Sequence, residues 1–105
     1  EDRYISDDLS HFRFVIKEEN FGHRSRKSAR LARNRIRYIL HAAQDKILLI
    51  DWTGISITSS GFADELVSKL QIDLGDQFDQ RIRLTNMSSE VKSIVSSVIH
   101  GRSGP

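Results

Sequence analysis

The stretch that most constrains the fold is "KILLID", residues 46 to 51, an unbroken apolar run bounded by Lys46 and Asp51. It is too short for a buried helix, and its pattern is that of a strand covered on both faces, in the middle of a largely parallel sheet. A polar connection, "WTGISITSS", follows with Gly54 at a turn. "GFADELVSKLQIDLG" then spaces Phe62, Leu66, Leu70 and either Leu74 or Val67 as a buried helical stripe that stops at Gly75. Upstream, "HFRFVIKEE", residues 11 to 19, alternates with Phe12, Phe14 and Ile16 on one face and Arg13, Val15 and Lys17 on the other, until "NFG" ends it. From about Ser25 to Gln44 a helix carries Ala29, Ala32, Ile36, Ile39, Leu40 and Ala43 at three- and four-residue steps. Downstream, "QRIRLTN" places Ile82 and Leu84 on one face, and "SSEVKSIVSSVIH" turns Val91, Ile94, Val95 and Val98 inward before stopping at Gly101.

Strand, helix, strand, helix, strand, helix is the order of an α/β fold. It predicts a small mixed, mostly parallel sheet joined by right-handed crossovers, with helices packed on it. A chain of 105 residues holds one such domain, expected over 11–100, with a flexible N-terminal segment at 1–10 and a disordered tail at 101–105.

Several chemistries are excluded by what the residues are. There is no cysteine, hence no disulfide, no thiolate nucleophile and no cysteine-ligated zinc. His11, His23, His41 and His100 are dispersed without an i, i+4 pair, so no metal or other cofactor is expected. No apolar run approaches the roughly 20 residues that span a bilayer, and a cytoplasmic location without membrane partners is the expectation. Asp64 and Glu65 are adjacent, which on a helix points them about 100° apart and prevents paired acid and base work on one atom. With no nucleophile and base at a useful spacing, the reading is a noncatalytic protein.

Charge is unevenly placed. Residues 22 to 38 contain Arg24, Arg26, Lys27, Arg30, Arg33, Arg35 and Arg37 and no acid, while the whole chain is only +2, so the remainder is near −5. Arg26, Arg30, Arg33 and Arg37, extended by Arg24 and Lys27, form a basic patch along the first helix. Three uses compete: a solvated face, docking to an acidic protein, or contact with nucleic-acid phosphates as an accessory domain. Only Tyr38 lies near to stack on a base.

The turn "TSSG", residues 58 to 61, sits where open α/β sheets place functional groups, at the carboxyl end of the central strand. One serine has the ordinary task of capping the helix, with Asp64 and Glu65 suiting its positive end. Two serines and Gly61 leave a hydroxyl to spare, and a phosphoryl group on it would be supported by the helix start. Trp52 is either an interface anchor or a half-buried core residue. Asp51 organises the loop; a phosphoaspartate role would need an upstream acidic pair for magnesium, and the early strand ends in "KEEN" with no apolar run before it.

"ILLIDWTGISITSSGFADEL" resembles the central segment of STAS domains of the anti-sigma-factor antagonist type. "SRKSAR", "LLIDWTGI" and "GFADEL" are more specifically similar to the STAS-like family of unknown function, over roughly residues 12 to 100. The resemblance implies that the first serine of the turn, Ser59, is phosphorylated by a kinase of the GHKL ATPase class, with Ser60 following and Gly61 matching the family glycine. It also implies that the same surface docks on that kinase or an anti-sigma-like protein. Trp52, Thr58, Ser59, Gly61, Phe62, Asp64 and Glu65 would line this surface. Thr58 departs from the pattern, because the anti-sigma type has aspartate there.

Overall fold

Leu48 and Ile50 are sealed from water in the central strand of three, and the rest of the domain is arranged around that burial. In the computed structural model, which describes residues 11–19 and 25–103, the strands are β1 (His11–Val15), β2 (Ile47–Asp51) and β3 (Ile82–Thr85). They are all parallel in the order β1-β2-β3, so the sheet contains no antiparallel member among the described residues. Expectations for 1–10, for "NFG", His23 and Arg24, and for 104–105 fall outside the described residues.

The register stacks Phe12 on Leu48 and Phe14 on Ile50, and then Leu48 on Ile82 and Ile50 on Leu84, making one continuous apolar face. Two right-handed crossovers stepping the same way put both connecting helices on one side of a sheet. Ile47 and Leu49, which point to the other side, are partly buried, so β2 is sealed on one face and partly covered on the other.

The first connection is α1 (Arg26–Ala42). Ser25 caps it, accepting from the Ser28 backbone N–H at 3.0 Å while the Ser25 N–H donates to the Ser28 hydroxyl at 3.3 Å. Ala29, Ala32, Ile36, Ile39 and Leu40 are buried, as their spacing predicts. The second connection is one helical rod over 60–74. It comprises α2 (Ser60–Ala63), a π-helical turn (Asp64–Ser68) and α3 (Lys69–Leu74), ending at Gly75 with φ 56°. The π turn carries one residue more per turn than an α-helix and widens the buried face. Phe62, Ala63, Leu66, Val67 and Leu70 are all sealed, together with the polar Glu65 and Ser68.

Two features were not expected. A short helix, α4 (Gln77–Arg81), precedes β3. Its Arg81 reaches back to α1, donating to the Leu40 and Ala43 carbonyls at 3.1 and 2.7 Å and to that of Lys46 at 2.9 Å. Arg81 thereby satisfies carbonyls that a helix end leaves without intrahelical partners. The last helix, α5 (Ser89–Ser103), does not stop at Gly101 but runs past it. Val91 and Val95 enter the core, with Ile94 and Val98 packed at its margin. No helix among the described residues is long and apolar enough to cross a membrane.

Candidate functional site

The site is built by the chain leaving β2. The Trp52 N–H donates to the Thr85 carbonyl at 2.9 Å, extending the ladder by one residue. The Ile55 N–H then returns to the Trp52 carbonyl at 3.0 Å, closing a turn whose third residue, Gly54, has φ 82°. A turn with positive φ at that position wants glycine. Space demands it too, because a Cβ there would lie 2.7 Å from Lys17 Cδ.

Asp51 ties this turn to both neighbouring strands. Its carboxylate accepts from the Thr53 backbone N–H at 2.9 Å, from the Thr53 hydroxyl at 2.5 Å, from Asn86 Nδ2 at 3.0 Å and from Arg13 Nε at 2.5 Å. Asn86 holds a left-handed backbone, φ 59°, a conformation that asparagine tolerates better than most residues. Burial alone would raise the Asp51 pKa, but the bonds from Thr53, Asn86 and Arg13 outweigh it, and the value falls from 3.8 to about 2. The carboxylate is an ionised structural knot, in keeping with the loop-organising role read from the sequence.

At the end of the loop, Ser59 is the N-cap of the 60–74 rod, its hydroxyl accepting from the Phe62 N–H at 3.0 Å. Ser60 is the first helical residue and is exposed, while Thr58 is only 6% exposed. Gly61 is the seat of Arg26: a Cβ there would meet Arg26 Cγ at 3.3 Å. The guanidinium continues over the turn to Asp64, at 2.8 Å.

Burial redistributes the expected docking surface. Trp52 and Phe62 are 0% exposed and stack edge to face, with ring centroids 6.1 Å apart, because both fill the core beneath the loop. Neither is an interface anchor. Glu65, 2% exposed, is also withdrawn from the surface. Ser59, Gly61 and Asp64 keep partial exposure, and Ser60 is more open. One surface residue escaped the sequence reading: Ile57 is 51% exposed between Ser56 and Thr58. The available signal was an isoleucine in a polar connection, outside the periodic pattern of either flanking element.

The basic stripe of α1 is shared between solvent and the 60–74 rod: the Arg26, Arg30 and Arg37 side chains stay more than half exposed, and only Arg33 is largely buried. Arg26, Arg30 and Arg33 approach Glu65 at 3.7, 3.5 and 3.3 Å, Lys69 reaches it from the next turn at 3.1 Å, and Arg33 also donates to the Glu65 carbonyl at 2.9 Å. Arg33 and Arg37 lie 3.7 and 3.9 Å from Asp73. Burial pushes the Glu65 carboxyl upward, but Lys69, Arg33 and Arg30 more than compensate and hold its pKa below the ordinary value. Thus the stripe predicted as a solvent or partner face is open to solvent along most of its length and at the same time forms an interhelical ion-pair ladder. Lys27 lies outside that ladder and is exposed; Arg24 is not among the described residues.

The family model described as the STAS-like domain of unknown function matches residues 33–92, more than half of the chain. The matched span runs from the ion-pair ladder through β2, the serine turn and β3 to the first turn of α5. Neither the curated proteins nor the solved structures gave a match.

Proposed function

We propose, from the premise that this chain belongs to the STAS-like domain family of unknown function, that it is a noncatalytic regulatory module that docks a partner through its β2–α2 loop. The observation that carries the reading is exposure within that connection: Ile57 is half open to water and Ser60 is exposed, after a turn fixed by Asp51, Gly54 and the buried Trp52. Ile57 is flanked by the buried Thr58 and by Ser56, whose carbonyl accepts from the Ser88 hydroxyl at 2.8 Å, and a segment held in this way binds at a lower entropic cost. The partner class that the family resemblance suggests is a GHKL-type kinase or ATPase.

Phosphorylation would act on the same surface. Ser59 is the acceptor by resemblance, and Ser60 is the more open hydroxyl. A phosphate on either adds nearly two negative charges at a helix start, beside Arg26, whose guanidinium already bridges to Asp64. The arginine then has two anions to choose between, and the loop surface changes its charge. The alternative of nucleic-acid binding by α1 has less free charge to draw on, because Glu65 and Asp73 offset part of the charge of its half-exposed arginines.

The test is calorimetric titration against the GHKL-class ATPase encoded nearest to the gene, followed by mass spectrometry after incubation with ATP. Ile57→Asp and Ser59→Asp should each weaken binding by roughly tenfold or more, as loss of a central contact does. Arg30→Glu should change it much less. Equal binding by wild type, Ile57→Asp and Ser59→Asp would sink the reading.

A further inference from the structure

Past the carboxyl ends of β2 and β3 the chain forms two loops, and between them lies a cleft of about 540 Å³. Trp52, Ile55 and Ser56 line it from one loop, and Asn86, Met87 and Ser88 from the other. The Ser88 hydroxyl donates to the Ser56 carbonyl at 2.8 Å and staples the two loops together. Most polar groups of the wall are already used by the fold. The Thr53 hydroxyl and Asn86 Nδ2 donate to Asp51, and the Ser88 hydroxyl accepts from the Val91 N–H. Two groups of opposite kind are left over. The Trp52 indole N–H is sealed and has no acceptor among the described residues. The ionised Asp51 accepts only, so the Asn86 amide gives it the NH2 group and keeps its carbonyl oxygen as a spare acceptor.

From this wall we infer a binding site for a small uncharged cyclic amide or imide. Its carbonyl accepts from the Trp52 indole N–H, its N–H donates to the Asn86 carbonyl oxygen, and its ring rests on Ile55 and Met87. A buried donor without an acceptor forfeits a bond that it had with water, and a ligand carbonyl restores it. Because that N–H is sealed, binding displaces part of the loop that covers it. Charge is excluded by the lining, which holds no ionisable side chain. Lys17 lies against Gly54 but outside the lining, and Asp51 is answered by Arg13. An apolar wall with a few polar groups is the composition of small-molecule pockets, and the carboxyl ends of parallel strands are where open α/β sheets place them. The staple between Ser56 and Ser88 suits a compact ligand better than a chain running through.

This site shares a loop with the proposed docking surface but takes nothing from that reading: the ligand here is a small molecule, so either can fail alone. The experiment is a titration of the isotopically labelled full chain with ε-caprolactam and with uracil, against hexanoate and a capped dialanine peptide. The single tryptophan gives a single indole N–H resonance. Each cyclic probe should move it downfield, as a new hydrogen bond does, and saturate at roughly millimolar concentration, with the Met87 methyl resonance moving in step. Trp52→Phe removes the donor and should weaken binding, followed at the Met87 methyl, by about five- to tenfold. Ser56→Phe, at an exposed position, fills the cleft and should abolish binding while leaving the indole as reporter. Thermal melts establish that both variants are folded. An indole resonance already downfield in the free protein, no saturable movement with either cyclic probe, an equal response to hexanoate or to the peptide, or unchanged affinity in the folded variants would overturn the proposal.

Discussion

A carboxylate sealed from water stays ionised only if donors replace the water it lost, and Asp51 has four of them from Arg13, Thr53 and Asn86. Its folded pKa of about 2 lies below the ordinary 3.8. A depressed carboxylate pKa stabilises the fold above the unfolded value, and that contribution is lost as pH falls through the folded value. The window is therefore about pH 4 down to about pH 2, and the amount is about 2 kcal/mol. Urea unfolding across that range should show the wild type losing stability more steeply than Asp51→Asn. The variant should begin less stable at neutral pH, because Arg13 is left without its anion. Parallel acid limbs in the two proteins would refute the assignment of the ionised knot. Most of this knot was hidden in the sequence. Asp51 at a strand end suggested loop organisation, but Asn86 lies 35 residues away and its left-handed turn has no local signature.

Among elements, the contact between α1 and the 60–74 rod is the unusual one, because it is charged and partly buried. The π turn widens the rod just where Glu65 must face α1, and Glu65 then collects three arginines and Lys69. The pairing is lopsided: Glu65 is 2% exposed, whereas the Arg30 side chain is 57% exposed. Removing the buried partner is costly because several cations lose one shared anion; removing an exposed cation merely returns part of the ladder to solvent. Glu65→Gln should destabilise by about 2 kcal/mol, and Arg30→Gln by under about 0.5 kcal/mol, in chemical unfolding. Equal costs would mean that Glu65 is not the hub. Sequence spacing correctly aligned the arginines in one stripe and the apolar residues in another. What spacing could not supply was the partner of the stripe, since Arg30 and Glu65 are brought together by a crossover 35 residues long. Nor does the 3.6-residue period announce a π turn; it leaves Val67 and Leu74 as competitors, where the structure seals Val67 and leaves Leu74 at the margin.

At the scale of the molecule, alternation of a two-residue and a 3.6-residue period was enough to read the α/β class and the order of its main elements. The parallel stack and central β2 followed from the same pattern. The short helix α4 did not, because five residues between Gly75 and β3 are too few for a helical period to stand out. Beneath the proposed docking loop, the only tryptophan of the chain sits with its ring sealed and its indole N–H without an acceptor among the described residues. An indole that neither water nor a hydrogen-bond partner can relax should emit at short wavelength. Unfolding should move the emission to the red, and a ligand clamping the loop from outside should change its intensity without that shift. A red-shifted spectrum from the native protein would contradict the buried placement. Trp52, withdrawn from the docking surface by its burial, thereby becomes an optical gauge built in beneath it.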